Sequence, residues 1–313
     1  MKTIRFASAA ILGFALLAMP ADASAAGVAL DSTQLDATAR TSLKADIDKA
    51  RGESPDVFKA VYDIAARAKD LDAESRAPGI PFTRYFKNLG PRAFYPLVEL
   101  MVFDSHAPSG LPATAESALR IGVIEAVGGI RDARAMPALA KVFESSRDLD
   151  TVRASANAIG KLGTDDGVQL LITSAKKFQT TDPARERAIL VGLHDCRREA
   201  AAHFLAQRLD GQPADAETAK ALIKSLGGVG NSWAWKTLPQ NEAAATRKAA
   251  AEGLMRAFVH YTGDLREAAA KALLVVDEAS TPQMIAKAKA GASRETVMAL
   301  DDFDKRFAQN PVR

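Results

Sequence analysis

One glycine returns along this chain at a nearly constant interval, and that spacing restricts the fold more than any other feature. Gly160, in the stretch Ala-Ile-Gly-Lys-Leu-Gly, serves as the reference. Gly128 lies 32 residues before it, Gly192 lies 32 after it, and Gly227 follows 35 further on. A base precedes each glycine by seven or eight residues: Arg120, Arg153, Arg185 and Lys220. Two residues before each glycine stand Ala126, Ala158, Leu190 and Ser225, and two after stand Ile130, Leu162, His194 and Val229. Positions that recur together at one such period mark a chain built from structural repeats.

The unit is readable as a pair of helices. Asp150, Asp182 and Asp215 each precede a helical pattern and are expected N-caps, and Pro183 suits the first helical position. Asp264-Leu265-Arg266-Glu267 has the spacing of a capping box. Gly163 suits a helix C-cap, and Asp165 or Asp166 is expected to cap the helix after it. Second helices read Arg134–Ser145, Asp166–Phe178 and Arg198–Leu209. Alanine dominates and aromatics are only 6%, which favours closely approaching helices. One such pair cannot bury its apolar face alone, so pairs must stack.

The segments Arg153–Ala175 and Leu265–Ala288 resemble HEAT repeats, of the short class first noted in phycobilisome lyases. That class has a form like Arg-x-x-Ala-x-x-Ala-Leu-Gly-x-Leu-Gly, followed by a second helix. The resemblance spans about residues 88 to 290 and implies an all-α, right-handed α-solenoid of stacked antiparallel helix pairs. It does not imply an activity, since one fold hosts many functions. Iron-binding hydroxylases of similar build carry repeated His-Glu pairs. Here His106, His194, His203 and His260 are followed by Ala, Asp, Phe and Tyr. Two departures from the repeat stand out. The third unit carries His194-Asp195 where others are apolar or glycine. After Gly227 the next reference position is Leu273, 46 residues on, and the added length contains Trp233 and Trp235.

The ends read differently. Residues 1–25 have a basic start, an uncharged run from Phe6 to Met19, and Ala23-Ser24-Ala25, the layout of a secretory signal peptide. The expected product is exported, periplasmic or secreted. Residues 26–78 are expected to form an N-terminal helical cap, residues 79–290 the repeats, and residues 291–313 a C-terminal capping helix. The caps are needed because an open stack end would expose apolar surface. Val57, Val61, Ile64, Ala65 and Ala68 form one inward stripe, and Val297, Leu300, Phe303 and Phe307 another. Removing residues 1–25 takes away Lys2, Arg5 and Asp22 and lowers the formal charge from +3 to +2. That balance argues against nucleic acid as a partner. No later run is apolar and long enough to span a bilayer.

Candidate chemistry is sparse. The glycines around Lys161 lack the preceding strand and the Lys-Ser or Lys-Thr of a phosphate loop, and Asp165-Asp166 lack the alternating ligands of a calcium loop. No zinc or cofactor motif is present. Cys196 is the only cysteine and is expected to be buried near a helix end. The expected function is a non-catalytic scaffold that binds another protein on its concave surface. The candidate partner-binding residues are His194, Asp195, Trp233 and Trp235, where the repeat fails. The alternative is a small-molecule or enzymatic site lined by the same residues. The two tryptophans could equally be buried plugs in the irregular unit, and burial is the expectation for so large a side chain.

Overall fold

The computed structural model describes residues 26–104, 106–211, 213, 215–234 and 242–310. These residues form an all-helical chain, and no strand occurs among them. Trp235 and the expected signal peptide lie outside the described residues.

The N-terminal part contains α1 (Ala37–Glu53), α2 (Pro55–Ala66), α3 (Ala68–Ala73), α4 (Thr83–Lys87) and α5 (Phe94–Val102). α1 and α2 both pack on α5, with Ile47, Phe58, Val61 and Leu97 buried between them. The segment before α1 runs across the end of α5. The amides of Val28 and Ala29 donate to the carbonyls of Leu100 and Met101 at 2.9 and 3.1 Å. These bonds satisfy carbonyls that a helix end leaves without partners.

The chain then alternates. α6 (Ala113–Ile130), α8 (Leu149–Leu162), α10 (Pro183–Cys196), α12 (Ala216–Val229) and α14 (Gly263–Val276) pack side by side in that order. The intervening α7 (Met136–Ser145), α9 (Asp165–Phe178), α11 (Glu199–Asp210) and α13 (Ala243–His260) pack against the first row, and α15 (Thr281–Lys289) packs on α13. α16 (Arg294–Ala308) packs on α15, and its Phe303 ring lies 5.2 Å from Phe258 of α13. No described helix is long and apolar enough to cross a membrane.

The recurring glycines explain the first row. A Cβ on Gly128 would lie 2.4 Å from the Cα of Ala158, and one on Gly160 would lie 2.0 Å from the carbonyl oxygen of Gly192. Both distances are far inside contact, so α6, α8 and α10 approach through missing side chains. The recurring bases also have structural work. Arg120 of α6 donates to the Thr151 hydroxyl of α8 at 3.0 Å, and Arg185 of α10 donates to the Ser146 carbonyl at 3.0 Å.

The capping expectations need correction in three places. Asp182 and Asp215 cap α10 and α12 as expected, accepting from Arg185 N and Thr218 N. α8 starts earlier, and Asp148 rather than Asp150 accepts from Thr151 N at 3.0 Å. Thr164, not Asp165 or Asp166, caps α9, and both aspartates lie in its first turn where the helix dipole favours carboxylates. α14 begins after Thr262, and the expected capping box does not form there. Glu267 instead takes both arms of Arg306, at 2.9 and 3.1 Å. Gly163 is the left-handed C-cap of α8, with φ of +65°.

Candidate functional site

The last turn of α10 sets the site. Neighbouring helical residues point about 100° apart. Leu193 and Cys196 therefore enter the core, while His194 and Asp195 leave it in different directions. Burial pushes the Cys196 thiol up to about 12.

Asp195 turns toward α8. Asn157 Nδ2 donates to Asp195 Oδ2 at 3.0 Å, Arg197 Nη2 donates to Oδ1 at 3.2 Å, and Lys161 Nζ stands 4.0 Å away. Asn157 Oδ1 accepts in turn from Lys161. The carboxylate thus joins two helices of the first row. His194 turns toward α12, where its ring lies directly over Gly228. A Cβ on Gly228 would sit 2.0 Å from His194 Nδ1, so only glycine leaves room for the imidazole. Burial lowers the His194 pKa, with the neighbouring Asp195 charge opposing that shift. The two residues that adjoin in sequence serve different helix contacts.

Beyond the His194 ring a groove of about 340 Å³ opens between α10, α12 and α14. Its floor is aliphatic: Ile223, Ala268, Ala272 and Val275, with the backbone of Gly227 and Gly228. Its rim is cationic: Lys220, Lys224 and Lys271, with His194. Val275 is exposed although it is a large hydrophobic residue. The chain leaving α12 closes one side. Ser232 N and Oγ both donate to the Val275 carbonyl at 3.2 Å, and Asn231 Oδ1 accepts from Trp233 N at 3.0 Å.

Trp233 follows immediately and is 57% exposed, the opposite of the buried plug expected from its size. Asn231 and Ser232 anchor the chain leaving α12 through backbone and small polar groups, with the Trp233 indole outside the core. Of the four residues singled out from the sequence, the structure puts His194 on the groove and Trp233 next to it. It assigns Asp195 to a helix contact.

Sequence reasoning missed Lys224 and Lys271, and it treated Lys220 only as a recurring repeat position. No single offset from the repeat glycine collects them, because each comes from a different turn of its helix. Among the described residues, no group of three or more His, Cys, Asp or Glu side chains could hold a metal ion. A larger groove of about 800 Å³ lies between α13 and α15, floored by Met255, Val259, Met284 and Ala288. Its rim mixes Glu252 with Lys248 and Lys287, and Arg256 there is paired with Asp210.

Comparison of the sequence with protein-family models finds no match, and comparison with curated proteins finds none either.

Proposed function

We propose that the chain is an exported HEAT-like scaffold whose mature form binds another protein on the concave side of a right-handed α-solenoid. The observation that carries this reading is the first helix row. Its five helices pack side by side, two of their contacts through glycine against backbone. Stacked helix pairs whose one row packs more closely than the other curve toward the closer row, and such curvature makes extended binding surfaces without catalytic groups. On this reading residues 26–78 and 291–313 cap the stack, and Phe303 and Phe307 supply the apolar seal at one end.

The alternative, a small-molecule or enzymatic role around His194 and Trp233, has the groove in its favour, because its volume falls in the range of ligand sites. Against it, Asp195 is committed to α8 and not to the groove.

Crosslinking in the native cell, followed by partner identification, tests the scaffold reading. The expected result is one recurrent protein partner that is lost in a folded Trp233→Ala variant. Recovery of no partner from any envelope fraction would overturn the reading. N-terminal sequencing of the exported protein should find Ala26 first.

A further inference from the structure

The groove between α10, α12 and α14 is one end of a longer cationic line. Lys87 of α4 packs against α6, its Cε 3.3 Å from where a Cβ on Gly129 would be. Arg131, at the end of α6, donates to the Lys161 carbonyl of α8 at 3.1 Å. Lys161 is half-buried, and burial lowers its pKa, with Asp195 and Glu125 opposing that shift and Lys87 and Arg131 adding to it. Arg197, which follows α10, is likewise mostly buried, and burial lowers its pKa, with its partner Asp195 opposing that shift and Arg131 adding to it. His194 and Lys224 come next, and Lys220 and Lys271 complete the line at the groove.

Acids offset part of this line. Asp195 pairs with Arg197 at 3.2 Å and stands 4.0 Å from Lys161, Glu267 stands 3.6 Å from Lys271 while also taking Arg306, and Glu125 accepts the Thr83 hydroxyl at 2.5 Å, which leaves Lys220 and Lys224 outside these pairs at the groove. The whole chain carries a formal charge of only +3, so the lysines at the groove rim reflect local placement and not a basic composition.

We infer that this face docks an acidic amphipathic helix of a partner protein, with apolar side chains on the aliphatic floor and carboxylates along the lysine line. The inference rests on the protein-binding reading above and names the chemistry of the partner. Two features select this occupant. The floor of Ile223, Ala268, Ala272 and Val275 offers aliphatic carbon, which a nucleic-acid backbone would leave unfilled. The rim offers lysines, which attract carboxylates over a distance without demanding one geometry. The row from α8 to α14 covers three helix spacings of about 8–10 Å. A helix of about 18 residues matches that length.

The test uses four labelled probes and fluorescence anisotropy with the purified mature chain. Three are 18-residue synthetic peptides sharing one leucine stripe and flanked by Glu, Gln or Lys; the fourth is a single-stranded DNA oligonucleotide. The Glu peptide should bind at least tenfold more tightly than the Gln or Lys peptide, and should weaken as salt rises. The variant Lys220→Glu/Lys224→Glu/Lys271→Glu should lose at least tenfold, and Val275→Asp should lose a similar factor. Both should keep the wild-type helical circular dichroism. Equal binding of the three peptides would overturn the inference, as would an unchanged affinity of the triple variant. Oligonucleotide binding that exceeds the Glu peptide and survives Val275→Asp would overturn it in favour of a polyanion. If cellular crosslinking recovers the same partner with wild type and triple variant, the groove assignment fails while the scaffold reading stands. If wild type recovers no partner, the scaffold reading itself fails.

Discussion

The Cα of Gly160 faces the carbonyl oxygen of Gly192 so closely that a methyl group on Gly160 would lie 2.0 Å from that oxygen. The return contact is as tight, since a Cβ on Gly192 would lie 2.5 Å from the Ala156 carbonyl oxygen. Neither neighbour is a flexible side chain, so a substitution must push α8 and α10 apart. Gly160→Ala and Gly192→Ala are each expected to lower stability by about 1–3 kcal/mol, the range for overpacking. Gly52, inside α1, has nothing within 4 Å of an added Cβ. Gly52→Ala, next to the last residue of α1, should therefore be neutral or raise stability by up to about 0.5 kcal/mol through helix propensity. Urea unfolding of the three variants checks the contrast, and equal effects would refute the packing role.

That contact also shows what was legible in the sequence. The period of the glycines came from a contact that recurs between neighbouring helices of one row, so the helix pairs could be placed from spacing alone. Helix starts were less readable. Asp148 and Asp150 are equally plausible caps by residue type, and only the backbone position decides between them. The site was read in part. His194 stood out because it replaces a small or apolar repeat residue, but its alignment with Lys224 and Lys271 depends on which turns of α10, α12 and α14 face outward. A net charge summed over the chain averages such a line away. Trp233 misled because size predicts burial, whereas the stretch after α12 is held by Ser232 and Asn231.

Glu186 and Arg208 form an ion pair between α10 and α11, with Arg208 Nε donating to Glu186 Oε1 at 2.8 Å and both side chains buried. Removing one partner leaves an uncompensated charge in the core. Glu186→Ala is expected to cost about 3–5 kcal/mol, whereas the double change Glu186→Leu/Arg208→Met should recover most of that loss. Denaturant titrations read both, and a double variant as unstable as the single one would contradict the argument.

Cys196 closes α10 with a side chain that is 3% exposed, and burial holds its thiol at about 12. Reactivity requires a thiolate that the reagent can reach. The native chain should therefore resist Ellman's reagent at pH 8 over hours and release one equivalent of product in 6 M guanidinium. Fast labelling of the native chain would show that α10 opens at its end.

His194 makes stability depend on pH in a direction that its burial sets. Its pKa in the folded chain lies below the ordinary value of 6.5. Between the folded and ordinary values the unfolded chain binds more protons, so stability rises with pH there. The contribution is fully present above about 6.5 and is lost as pH falls through the folded value. Carboxylates also titrate on the acid side, so the comparison must be with His194→Gln, which keeps a polar side chain of similar reach over Gly228. The advantage of wild type over His194→Gln should shrink from pH 7.5 to pH 5. In parallel, the NMR titration of the His194 ring should give a midpoint below 6.5. A midpoint at or above 6.5 would mean that the ring is solvated and not packed on α12. The His194 edge of the groove would then be mobile, and the aliphatic floor between α12 and α14 would lose one of its walls.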